Sequence, residues 1–143
     1  MSETVRGRFV VLRTIDFSET SQVLRLYTSR SGKLGAIARG SKRLKGSFQG
    51  PFDIFSLYES IWIEKGEGRL DVIISADLVE SHPRIRSDLY ALYAASYMAE
   101  FVDAMTPDGQ PQRDLFDLLV ASLAAVDAGG PVWRSVFHFE ARA

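Results

Sequence analysis

The chain has 143 residues, 46% of them hydrophobic and 24% charged, enough to bury a core and too apolar for global disorder. It contains no cysteine, which excludes disulfides, cysteine-ligated zinc, iron–sulfur clusters and thiol nucleophiles. The net charge is −1, yet residues 1–70 carry twelve Lys/Arg against seven Asp/Glu, whereas residues 71–143 carry five against eleven; positive charge is placed in the first half.

That first half reads as strands and turns. Phe9 to Ile15 is rich in β-branched and apolar residues, and Asp16-Phe17-Ser18-Glu19-Thr20 supplies turn chemistry. A second strand is expected over residues 21–28, ending at Ser29-Arg30-Ser31-Gly32. A third covers residues 33–39, through the small residues Gly35, Ala36 and Ala38, which permit sharp coiling or close approach of another element. Gly32-Lys33 lacks the glycine spacing and the following Ser/Thr of a phosphate-binding loop, so it reads as a strand start.

Next comes a basic, glycine-bounded loop from Arg39 to Phe48, in which Arg39, Lys42, Arg43 and Lys45 stand within ten residues. A loop serving solubility alone would mix both signs, so phosphate binding is the expected purpose. A fourth strand follows, with Phe55, Leu57, Ile61 and Ile63 on one face and Tyr58, Ser60 and Trp62 on the other; Tyr58 and Trp62 are expected to project from the barrel against the helices. Gly66-Glu67-Gly68 makes a hairpin turn. In the fifth strand, alternation predicts Leu70, Val72, Ile74, Ala76 and Leu78 inward, with Asp71, Ser75 and Asp77 outward.

From Pro83 the period becomes helical. Ser87 can cap a helix with a stripe of Leu89, Leu92, Tyr93, Ser96, Tyr97 and Phe101, although Ala91, Ala95, Met98 and Val102 make its other side apolar too. Thr106-Pro107-Asp108-Gly109 breaks it. Pro111 suits the first turn of a second helix with a Leu115, Leu118, Leu119, Ser122, Leu123, Val126 stripe. Gly129-Gly130 ends that one, and Pro131 opens a third carrying Trp133, Phe137 and Phe139 with no capping residue at its end, as expected of a helical module that is incomplete. The longest uncharged apolar run, Leu89 to Ala99, is too short to span a bilayer. With no signal segment and no membrane span, a cytoplasmic protein is expected.

Strands first and helices second predict a segregated α+β fold: an N-terminal five-stranded OB-type β-barrel over residues 1–80, followed by an α-helical module over residues 81–143. An SH3-like barrel is the alternative. His82 and His138 sit in no ligand spacing and read as surface or packed residues. Nothing resembles a nucleophile–base pair, so no catalytic residue, metal or cofactor is expected and the chain reads as a non-enzyme. The positive case is single-stranded nucleic acid, which needs cations along a backbone and aromatic faces for bases. Arg13, Arg25, Lys33, Arg39, Lys42, Arg43 and Lys45 are the candidate binding cations, joined by Arg30 in the wider cluster; Phe17 and Phe48 are the stacking candidates, with packing beneath the loop the competing expectation.

Asp16-Phe17-Ser18-Glu19-Thr20-Ser21, Leu26-Tyr27-Thr28, Gly32-Lys33-Leu34, Ala38-Arg39-Gly40 and Lys42-Arg43 together resemble the bacterial RecO recombination mediators, as do Gly66-Glu67-Gly68, residues 76–80 and Leu115-Phe116-Asp117-Leu118-Leu119. The resemblance covers essentially the whole chain. It implies an OB-fold followed by a helical domain, in a DNA repair and recombination protein that binds single- and double-stranded DNA. It also implies annealing of strands coated with single-strand-binding protein, help in loading RecA together with RecR, and a helical-domain site for the acidic C-terminal tail of single-strand-binding protein. Family members are usually longer by roughly a hundred residues and many carry a cysteine zinc site in that part, so residue 143 is expected to fall inside the helical domain. Of the candidate cations, Lys33, Arg39, Lys42, Arg43 and Lys45 match positions the family uses on DNA, and Arg13 and Arg25 match less closely. A protein-interaction module that recruits RecR or single-strand-binding protein with little DNA affinity is the second expectation, and a lone OB protein for structured RNA the third.

Overall fold

The computed structural model describes residues 2–44, 46, 48–66 and 68–143. Five strands, β1 (Glu3–Asp16), β2 (Gln22–Thr28), β3 (Gly32–Ala38), β4 (Leu57–Glu64) and β5 (Asp71–Glu80), precede four helices, α1 (Pro83–Ser87), α2 (Leu89–Met105), α3 (Arg113–Asp127) and α4 (Val132–Arg142). The strands close into a barrel in the order β1-β2-β3-β5-β4, with β3 and β5 parallel and all other neighbours antiparallel. That closure is the OB arrangement and leaves no long edge open. β1 begins earlier than its β-branched run because it serves two partners, pairing with β4 from Glu3 to Val10 and with β2 from Phe9 to Asp16.

Two cores follow from the alternation. Phe9, Val11, Leu24, Leu26, Ala36, Ala38, Phe52, Tyr58, Trp62 and Ile73 fill the barrel. Phe9 lies 5.5 Å from Tyr58 and 6.3 Å from Trp62 between ring centroids. Tyr58 and Trp62 therefore face inward, opposite to the sequence reading, because a small barrel needs bulky rings to fill it. A bulge between Ile61 and Trp62 shifts the β4–β5 register, and β5 turns over accordingly: Asp71 and Ile73 are buried, while Leu70, Ile74 and Leu78 are exposed. Alternation gives two faces and does not say which one is inside.

The second core lies between barrel and helices. A bulge between Val11 and Arg13 in β1 leaves Leu12 unpaired, so Val10 and Leu12 both join Tyr27, Phe55 and Leu57 beneath α1–α4. In α2 the buried side is Ala91, Ala94, Ala95, Met98, Ala99 and Val102, and the predicted stripe residues Leu89, Tyr93 and Tyr97 are exposed. Small side chains let α2 approach its neighbours closely, which decides a choice that an all-round apolar helix leaves open. Its cap is Asp88 rather than Ser87; the carboxylate accepts from Tyr90 N at 3.0 Å and Ala91 N at 3.3 Å. α3 buries Phe116 with Leu119, Ser122, Leu123 and Val126, and α4 buries Phe139 edge-on to Phe101 at 5.5 Å. His82 is packed: its Nδ1 lies 2.8 Å from Phe55 O. Among the described residues no helix is long and apolar enough to cross a membrane.

Candidate nucleic-acid interface

A groove of about 800 Å³ opens where the β1–β2 turn, the end of β3 and the β4–β5 connection meet, lined by Phe17, Ser18, Ser21, Ile37, Arg39, Lys65, Arg69, Leu70 and Val72. The parallel pairing of Ala36 with Asp71 and Ile37 with Val72 creates it, bringing β3 and the start of β5 side by side. Its cations are Arg39, Lys65 and Arg69, and among the described residues no carboxylate lines it. Among the described residues none of these three lies within ion-pair distance of a carboxylate. Phe17 is 64% exposed at the rim. Unpaired cations around an apolar floor with an open aromatic edge can hold a phosphate chain and stack a base.

The basic loop is pinned beside this groove. Gly40 N donates to Ser21 Oγ, Lys42 N to Thr20 O, and Ser41 Oγ to Gln22 Oε1 at 2.8 Å. Gln22 Oε1 also accepts from Phe52 N at 2.9 Å, so one buried amide ties the loop to the strand that follows the turn. Arg39 and Arg43 are exposed, and Lys42 pairs with Asp16 at 3.1 Å, an exposed and exchangeable contact. Lys45 lies outside the described residues, as does Glu67 of the β4–β5 turn. Phe48 is buried against Phe52 at 5.2 Å and cannot stack a base; the competing expectation of packing beneath the loop is the observed one.

Arg25 and Lys33 are placed differently. Arg25 grips Asp108 with both terminal nitrogens, at 2.6 and 3.2 Å, and its Nε lies 3.6 Å from Asp103. Lys33, 6% exposed at its side chain, lies 3.0 Å from Asp103 and 3.7 Å from Asp108, and also donates to Asp103 O. Burial opposes ionisation of Asp103, but the Lys33 hydrogen bond and the charges of Lys33, Arg25 and Arg13 outweigh it and hold the carboxyl below its ordinary range. Arg13 is exposed opposite Arg25 in the β1–β2 register. Arg25 and Lys33 fasten the barrel to α2 and the α2–α3 loop, where Gly109 N donates to Lys33 O at 2.9 Å.

Lys65 and Arg69 are the groove cations that sequence reasoning passed over, although they flank the glycine-bounded hairpin. Beneath them the buried Asp71 has its carboxyl pushed up, chiefly by burial and also by Glu64, against the hydrogen bond it accepts from Lys65 N at 3.0 Å. A raised carboxyl loses stability as pH climbs from the ordinary carboxylate range through the raised value, whereas the depressed Asp103 loses it as pH falls through its own. Asp71→Asn keeps the acceptor and removes the buried charge, so its melting temperature at pH 7 should exceed that of the parent by roughly 2–4 °C. That difference should vanish below about pH 3.5; a variant less stable at pH 7 would contradict the assignment.

The barrel order, the groove where the end of β3 meets the start of β5 and the helices packed against the barrel define an OB-fold protein with an attached helical module. Residues 1–82 match the family model described as recombination protein O N terminal, and residues 86–143 the one described as recombination protein O C terminal. The chain belongs to the RecO family. It is 35% identical over 133 residues to the DNA repair protein RecO of Rhodopirellula baltica, covering 93% of this chain and 49% of that one. The Geobacter sulfurreducens protein of the same name is 36% identical over 137 residues, 96% of this chain and 56% of the relative. That of Bacillus pumilus is 34% identical over 125 residues, 87% and 48%. The chain spans about half the length of the curated relatives it matches.

Proposed function

We infer that this chain is a non-catalytic DNA repair and recombination protein of the cytoplasm that holds DNA along the groove of its barrel. The observation carrying this reading is the convergence of Arg39, Lys65 and Arg69 around an apolar floor with Phe17 open at the rim. Its family likeness extends the reading to annealing of strands coated with single-strand-binding protein and to assistance, with RecR, in loading RecA. Arg43 and Lys42 extend the cationic surface along the loop, and Arg13 stands exposed on β1. Phosphate contacts of this kind hold strands irrespective of base sequence, as a mediator of annealing requires.

Fluorescence anisotropy with a labelled oligothymidylate tests the reading. With three phosphates neutralised on a single strand, log K should fall with log salt at a slope of roughly −2. Phe17→Ala should weaken binding about tenfold and leave the slope unchanged, because stacking carries no counterion release. A flat salt dependence for the parent chain would remove the reading.

A second reading is favoured by the exposed aromatic side of α2 and α4, where Tyr90, Tyr93, Tyr97, Trp133 and Phe137 are uncovered. On that reading the helices recruit RecR or the tail of single-strand-binding protein, and tail-peptide binding would persist where DNA affinity is negligible at physiological salt.

A further inference from the structure

The outer face of β1–β2–β3 is arranged in cross-strand rows. Val10, Tyr27 and Lys33 form one row, which lies under the helices. Arg13, Arg25 and Gly35 form the next, and Ile15, Val23 and Ile37 the one after, where the groove begins. Gly35 gives its neighbours room in the middle row: a Cβ there would stand 3.3 Å from Leu70 Cδ2 and 4.0 Å from Arg25 Nη1. The Arg25 guanidinium therefore lies close to Leu70, a residue of the groove wall.

What occupies that guanidinium is Asp108, whose two oxygens take its two terminal nitrogens at 2.6 and 3.2 Å. A guanidinium fork receives a phosphate by the same two-point geometry. The pair is reachable by solvent, with side chains 32% and 62% exposed, unlike Lys33 at 6%. Asp103, in the last turn of α2, neutralises Lys33 at 3.0 Å; Asp108 sits in the loop that follows, more exposed and 3.7 Å from the same ammonium.

We propose that Asp108 is an acidic end stop on the oligonucleotide track: it holds Arg25 in place of a phosphate and sets where a bound strand must leave the barrel. The proposal rests on the groove reading above. A strand longer than the groove competes with Asp108 for Arg25, and the loop joining α2 to α3 keeps the footprint short.

The test is a double-mutant cycle on the 143-residue chain, read by anisotropy with a labelled oligothymidylate and by thermal melting. Asp108→Asn should bind about five- to tenfold more tightly and steepen the salt slope by about 0.7, one further phosphate. Arg25→Gln should cost less than about twofold in the parent chain and should cancel the whole gain in the Asp108→Asn background, a non-additivity that removal of a distant charge does not produce. Asp108→Ser should repeat the gain, which separates loss of charge from any effect of the amide. Equal cost of Arg25→Gln in both backgrounds, or a parent chain that binds and an Asp108→Asn variant that binds no better, overturns the end stop and leaves the groove intact. No binding by either chain overturns both.

Discussion

Replacing Arg39, Lys65 and Arg69 together with alanine should weaken oligothymidylate binding about a hundredfold at about 0.1 M salt and bring the salt dependence close to flat. The magnitude follows from counterion release. Each phosphate neutralised on a single strand contributes a slope of about −0.7, so three contribute about −2, and one decade of salt below the molar reference, where the electrostatic term vanishes, is worth about two decades of affinity. Arg39 and Arg69 are exposed and Lys65 is half-buried, none in an ion pair among the described residues, so melting should be nearly unchanged. Retention of the full slope by this variant would move the phosphate contacts to Arg43 and Lys42 on the neighbouring loop.

Gly32→Ala should cost on the order of 3–5 kcal/mol, a large part of the 5–15 kcal/mol typical of a domain, and lower the melting temperature by at least ~10 °C. Gly32 has φ +66 at the start of β3, and a Cβ built there stands 2.4 Å from Gln110 O and 2.6 Å from its carbonyl carbon. Both neighbours are backbone, so the strain cannot be relieved by rotating a side chain. Relief requires the α2–α3 loop to lift, which breaks the Gly109 N to Lys33 O hydrogen bond and pulls Asp108 from Arg25 and from the buried Lys33 ammonium. Gly109→Ala is the control: its φ is +75, but among the described residues nothing lies within 4 Å of a Cβ built there, so it reports the left-handed backbone cost alone, about 1 kcal/mol. Two variants losing equal stability would show that the close approach of loop to strand is unimportant.

The basic loop shows how far local chemistry reaches. Arg39, Lys42 and Arg43 are recognisable from composition alone, and the structure keeps Arg39 and Arg43 exposed beside the groove. Lys65 and Arg69 complete the site from a hairpin some thirty residues away, brought there by the parallel β3–β5 closure, a pairing that no local pattern announces. Arg25 and Lys33 look identical to the groove cations in the chain, yet they meet Asp103 and Asp108 from beyond the barrel. Pairing partners separated by seventy residues or more are invisible to any window.

By itself the sequence determined the order of elements, the placement of positive charge in the strand half, the breaks at Thr106-Pro107 and Gly129-Gly130, and the absence of cysteine chemistry, because composition and turn stereochemistry act over a few residues. Only the tertiary structure decided which face of β4 and β5 is interior, which side of α2 is buried, and which cations remain free for a polyanion. Those choices are settled by volume and by neutralisation across space. A small barrel closes around Trp62 and Tyr58, a helix approaches on its alanines, and a buried lysine must find a carboxylate.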